Sequence, residues 1–541
     1  MPDLLPPPMP DFDPHAPWLI GCGQLPADTP LPGPDQLGNK AHNLARMAAL
    51  GLPVPPAFVL GTAWCAAPQP PGPAVWQPAL AALEQASGAR FGDDRRPLLL
   101  SVRSGAPVSM PGMMETLLNI GLCDATVPGL LRLTGNPRLV WDAYRRLVAG
   151  FGETVLGVPA AVFEADLQTA AGGRDERELD FAELRALTRA HLTSVRRAAG
   201  QPFPQDPRAQ LQAAIGAVLA SWQAPKARDY RRLKDLPDSL GTAVTVQRMV
   251  FGNAGGTSGA GVGFTRHPST GEPRPWVDFL FNAQGEDVVS GRRSAHGHAQ
   301  LAAVAPRVWD QLLAATRQVE RALGDMQDFE FTVENGQLWL LQTRDGKRTP
   351  QAQARIALDL CDEGVIDAAE ARRRTAGLDP ATLSVERVVG GDGSAPLAEA
   401  MSAAHGVAVG QVALDEAAAR RLAAQGRPVL LVRQDAETSD IAALEQSVGL
   451  LTERGARTSH AAVVARQLGK VCLVGCTALH IDPARRRLHF QTPAGEVAVD
   501  EGELLTLDGH RGWVLRGAAH TEREAPAELL ARLAVLRARA G

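Results

Sequence analysis

Asp325-Met326-Gln327-Asp328-Phe329-Glu330-Phe331-Thr332-Val333-Glu334-Asn335-Gly336-Gln337-Leu338-Trp339-Leu340-Leu341-Gln342-Thr343-Arg344 is the stretch whose reading decides the architecture. Its first half alternates, so Asp328 and Glu330 share one strand face and Phe329 and Phe331 take the other. Asn335-Gly336 marks a turn, and residues 338–344 form the returning strand. A two-residue loop would set Glu330 opposite Leu341 and send Gln342 to the Phe329 face. A three-residue loop with Gly336 left-handed pairs Asp328 with Gln342 and Glu330 with Leu340 instead. The second register is the expected one. It gathers Asp328, Glu330, Gln342 and Arg344 on one face and leaves Phe329, Phe331, Trp339 and Leu341 for the core. Two carboxylates, an amide and a guanidinium suit Mg²⁺ and a polyphosphate, because the hard cation takes oxygen ligands and arginine grips phosphate bidentately. The same face also reads as solvated surface with a cross-strand ion pair, and the hairpin alone does not choose between the two.

Two glycine-rich loops lie upstream. Residues 104–114 (SGAPVSMPGMM) follow a strand ending in Arg103, and residues 252–263 (GNAGGTSGAGVG) follow the strand around Gln247. Loops of this kind let backbone N–H groups approach phosphate oxygens, though flexible surface loops look the same. Neither fits the P-loop or dinucleotide pattern. Lys40, opening a helix after Gly38, is a third phosphate candidate. Downstream, Thr458-Ser459-His460 precedes an apolar run with helical spacing. Thr458 or Ser459 reads as the N-cap, which puts His460 in the first turn, where the helix dipole and unpaired N–H groups favour a phosphorylated imidazole. Neutral imidazole is also a competent nucleophile near pH 7.

Bulk properties narrow the classes. At 541 residues the chain exceeds one core, and its net charge of −4 offers no field for nucleic acid or an anionic membrane. The six cysteines are scattered, and Cys472 and Cys476 lie among apolar neighbours, so buried thiols are expected rather than a metal site. No stretch reads as a membrane span or signal peptide, and a cytoplasmic location is expected. Strands are expected at residues 98–103, 243–250 and 276–281, helices over most of 116–235, and a helical connector near 350–375.

Read together, these segments resemble the pyruvate, phosphate dikinase family. The matching stretches are residues 38–44 (GNKAHNL), 102–115, 136–146 (NPRLVWDAYRR), 246–263, 264–272 (FTRHPSTGE), 282–291 (NAQGEDVVSG), 325–348 and 458–476. The resemblance implies an α/β multidomain chain. Residues 1–17 would be a flexible segment and 18–345 an ATP-grasp nucleotide-binding domain with a helical insert at about 116–235. Residues 346–389 would be a helical linker, 390–520 a swivelling phosphohistidine domain and 521–541 a C-terminal helix. Carried over position by position, Lys40 and Arg103 match ATP-phosphate contacts, and Pro111, Gly112 and Met113 the loop covering the phosphates. Gln247, Met249 and Val250 would lie beside the adenine. Glu330 and Gln342 match Mg²⁺-nucleotide ligands, supported by Asp328, and Arg344 would contact the transferring phosphates. His460 matches the catalytic histidine, and Thr458 a threonine phosphorylated in some plant members.

The sequence also departs from the family. Gly38-Asn39 replaces a glycine pair, Arg266-His267-Pro268 replaces Arg-Asn-Pro, and Gly455-Ala456-Arg457 replaces Gly-Gly-Met. The lost glycine adds a Cβ that would stiffen the loop presenting His460, or else Arg457 would favour a nearby anionic phosphate. No phosphoenolpyruvate/pyruvate barrel is expected within the chain, because the residues after the swivelling domain are too few for eight strand–helix units. The expected function is therefore ATP- and Mg²⁺-dependent phosphorylation of His460, with inorganic phosphate as co-substrate. Transfer would go to an acceptor on a separate barrel subunit. The alternatives are a dikinase for another acceptor (water, as in phosphoenolpyruvate synthase, or an antibiotic, as in rifampicin phosphotransferases) and a non-catalytic ATP-sensing protein.

Overall fold

Apolar runs of branched and aromatic residues build three main sheets in the computed structural model, which describes residues 13–23, 30–108, 110, 113–289, 296–389, 395–435, 440–455, 457 and 460–538. The chain is mixed α/β and divides into two units. The first comprises residues 1–255 with 339–343, and the second residues 256–338 with 344–541.

In the first unit an antiparallel sheet runs in the order Trp18–Ile20, Ala57–Leu60, Ala243–Arg248, Leu100–Gly105, Thr116–Ile120. Helices from Val127–Thr134 to Pro225–Leu233 follow the last of these strands in sequence. Many carry proline in the first turn, where the missing N–H is not needed. Trp76, Leu100, Val102, Tyr144, Phe151 and Ile215 join sheet and helices in one buried cluster.

The second unit holds two larger sheets. One has the order His296–Gly297, Trp276–Phe281, Gly259–Phe264, Gln327–Glu334, Gln337–Asp345. The other has eight strands, with a parallel centre of Val407–Ala413, Val429–Arg433, Gly449–Thr452 and Val471–Val474. Parallel strands buried on both faces explain the near-continuous apolar runs VLLV and VCLV. The helices Pro350–Asp362 and Ala368–Thr375 join the helix Ala527–Ala538 through Leu358, Ala371, Leu529 and Leu533. Among the described residues no helix is long and apolar enough to cross a membrane.

The hairpin turn is tighter than its sequence was expected to make it. Asn335 and Gly336 both have positive φ (51° and 78°) and alone connect Gln327–Glu334 to Gln337–Asp345, so the loop has two residues, not three. Asn-Gly populates this primed turn at little steric cost, and the turn's twist matches that of the strands. Parity near the turn is therefore inverted: Leu338 and Leu340 are buried, while Trp339 and Leu341 are only half-buried. At the base of the hairpin Gly346 donates to the Met326 carbonyl (2.9 Å) and Arg344 Nε reaches Asp328 (2.8 Å).

Candidate functional site

Gly38 shapes the first group of candidates. Its φ of +73° interrupts the helix Pro34–Ala49, and a Cβ built on it would lie 1.8 Å from the Gly105 carbonyl oxygen. Only glycine lets these two backbones meet, and Asn39 then donates its N–H to the Ala106 carbonyl at 3.0 Å. Lys40 and the end of the strand Leu100–Gly105 are thereby held side by side. On that strand Arg103 donates from Nη2 to the Gln342 amide oxygen at 3.4 Å. The segment carrying Gln342 is tied into the same unit by Leu340 N–H to the Pro53 carbonyl (2.7 Å) and Asn43 Nδ2 to the Thr343 carbonyl (3.0 Å).

Gln247 is buried in its strand, and its Nε2 donates to the Pro55 carbonyl at 3.0 Å, so this side chain braces two backbone segments. Met249 follows, fixed by its N–H to the Leu99 carbonyl at 2.9 Å, and Val250 is half-buried beyond the strand end. Met113 packs with Met110, Trp222 and Ala227. Pro111 and Gly112 lie outside the described residues.

In the second unit Asp328 is buried and bound to Arg344. Burial pushes its carboxyl above the ordinary value, and the guanidinium opposes that push. Glu330 shares its strand and is half-buried. The eight-residue helix His460–Gln467 begins at His460, as the T-S-H run leads one to expect. Thr458, Ser459 and the placement of the His460 imidazole lie outside what is described.

Sequence reasoning missed the surroundings of that helix. Arg457, expected to meet a phosphate, is instead paired with Asp278: Nε lies 2.8 Å from Oδ1, and Nη2 bonds the same oxygen. Its guanidinium stacks over Trp276, 4.4 Å from the ring centroid. Arg466, fully buried on the His460 helix, donates to the Ala403 carbonyl (2.7 Å) and covers Phe264 and Trp276; burial pulls its pKa down to about 10. His267 touches both Trp276 and His405, with ring centroids 5.5 and 4.8 Å apart. One signal was available, because Asp278 stands alone in an apolar strand, and a buried carboxylate needs a cationic partner. Nothing in the local sequence pointed to Arg457 as that partner.

Cys472 and Cys476 are buried, their thiols pushed up to about 12 and about 11 mainly by desolvation, which leaves both inert at neutral pH.

Comparison with known proteins places these features in context. The family described as "Pyruvate phosphate dikinase, AMP/ATP-binding domain" matches residues 71–299 and 299–364, and "PEP-utilising enzyme, mobile domain" matches residues 426–512. The chain is similar to the pyruvate, phosphate dikinase of Rhizobium meliloti (strain 1021), 40% identical over 534 residues, covering 93% of this chain and 58% of that protein. It is also similar to pyruvate, phosphate dikinase 2 of Zea mays, 41% identical over 498 residues (89% of this chain, 55% of that one). The Clostridium symbiosum pyruvate, phosphate dikinase is 40% identical over 507 residues (90% and 57%). The chain thus spans a little over half the length of these relatives.

Proposed function

Because the chain belongs to the pyruvate phosphate dikinase family through its AMP/ATP-binding domain, we propose that it is an ATP-dependent phosphotransferase that phosphorylates its own His460. The observation that carries this reading is the position of His460. It is the first residue of a helix inside the stretch matched by the mobile domain, on a chain that also carries the nucleotide-binding match. The nucleotide domain is read as an ATP-grasp fold. Lys40, Arg103 and Arg344 neutralise the ATP phosphates, residues 111–113 cover them, and the backbone of 247–250 borders the adenine.

In the proposed step an imidazole nitrogen of His460 attacks the β-phosphorus in line. The bond from that phosphorus to the α–β bridging oxygen breaks, and AMP leaves. Inorganic phosphate then accepts the γ-phosphoryl as pyrophosphate, and one phosphoryl stays on His460. Positioning and charge neutralisation do most of the work. Glu330 and Gln342 offer the oxygen donors Mg²⁺ prefers: Glu330 is a half-buried carboxylate, and the amide oxygen of Gln342 faces Arg103. The donor chemistry fits that ion, which when bound would offset the charge of the β- and γ-phosphates. The phosphohistidine then serves pyruvate at a site outside the residues described, carried there by rotation of the mobile domain. The presence of Lys40, Arg103, Arg344 and His460 in one chain supports this over a purely ATP-sensing role, since a binder has no use for the histidine.

The test is AMP formation from ATP with and without inorganic phosphate. Phosphate-stimulated AMP with matching pyrophosphate is expected. AMP accompanied by phosphate release alone would move the assignment to a water-dependent dikinase, and ATP binding without AMP would end the enzymatic reading.

A further inference from the structure

We propose that Arg457 is a positioning residue, a latch that holds the His460-bearing segment against the strand Trp276–Phe281 for the ATP half-reaction. This rests on the phosphotransfer reading above. Three observations converge on it. Asp278 is fully buried in the middle of that strand, with Val262 as its ladder partner, and its carboxylate receives both Nε and Nη2 of Arg457. The guanidinium also donates from Nη2 to the Val277 carbonyl at 3.2 Å and lies over the Trp276 ring, so two polar acceptors and one aromatic face fix its orientation. Finally, Arg457 is three residues before His460, and Arg466, on the helix that begins at His460, also lies over Trp276, 5.1 Å from its centroid.

A carboxylate with no solvent exposure is strongly unfavourable without its cation. The pair therefore does more than decorate a surface: separating Arg457 from Asp278 takes a charged, two-pronged partner away from a fully buried carboxylate. The closed arrangement is thereby specified at the residue level, and any departure of the segment must break a defined, two-pronged contact. A neutral side chain at 457 keeps the apolar stacking on Trp276 but loses that specification.

The experiment has two readouts, one of them independent of catalysis. The first is the single-turnover rate of protein labelling from β-³²P-ATP, measured beside ATP affinity by equilibrium titration. Arg457→Met is expected to slow labelling roughly tenfold or more with affinity unchanged within about twofold, a split that simple misfolding would not give. The exchanged pair, Arg457→Asp with Asp278→Arg, is expected to recover part of the rate lost in either single variant. The second readout is tryptic cleavage after Arg457, followed by mass spectrometry. Asp278→Asn is expected to speed it severalfold over the wild type. Wild-type labelling by Arg457→Met, or cleavage unaltered by Asp278→Asn, overturns the latch. A wild-type protein that takes no label at all defeats the phosphotransfer reading instead, and the cleavage comparison still decides the latch.

Discussion

Gly38 shows how one missing Cβ organises the proposed nucleotide site. The Gly-Asn-Lys run is readable as a helix start, yet its meaning is tertiary: the Gly105 carbonyl occupies the space a Cβ would need. Gly38→Ala should destabilise the fold by about 1–3 kcal/mol, because it adds both a clash and a strained positive φ. It should also weaken ATP binding by displacing Lys40. Denaturant unfolding and nucleotide titration check this, and a variant with wild-type values in both would show that the close approach is dispensable. Asp278 teaches the opposite lesson. A lone carboxylate among Trp276, Val277, Phe279 and Leu280 announces a hidden partner, but strand periodicity cannot say that the partner lies 179 residues away. Asp328 and Arg344 do meet, as residues of one hairpin were expected to, although the three-residue loop from which their pairing was argued is not the one formed.

Elements were legible wherever their own pattern set them. The strands at Ala243–Arg248 and Trp276–Phe281 follow branched and aromatic runs, and the helix from His460 follows its apolar spacing. The hairpin loop went the other way. Preference for a polar face argued for three residues, but turn chemistry won, and Asp328 and Arg344 meet all the same.

The histidine contacts between elements carry a pH dependence. His267 and His405 titrate below their ordinary 6.5, at about 4 and about 3. Burial is the main cause in both; Arg466, Arg457 and Arg274 add to it for His267, and His267, His510 and Arg466 for His405, with Glu272 opposing. Because the folded values are depressed, this contribution is intact above pH 6.5 and is lost as pH falls toward 4 and then 3, where the unfolded chain binds protons first. The thermal midpoint should therefore drop by several degrees between pH 7 and pH 4.5. Replacing both histidines with asparagine should flatten that slope, and an unchanged slope in the double variant would remove these groups from the account.

At the scale of the whole chain, the order of parts follows the order of motifs: nucleotide-binding matches, a helical connector, then the mobile domain. Fold class was legible because many short motifs recur in sequence order, each tied to a backbone requirement such as Gly38 or the first turn of the His460 helix. The acceptor for the phosphoryl group was not legible from these motifs. The measurement that bears most directly on the central claim is incubation of the purified chain with β-³²P-ATP, followed by acid- and base-stability analysis of the label and peptide mapping. An acid-labile, base-stable label on the peptide containing His460, absent from His460→Ala, is the expected result. Label retained by His460→Ala, or no label on the wild-type protein while ATP is bound, would contradict it.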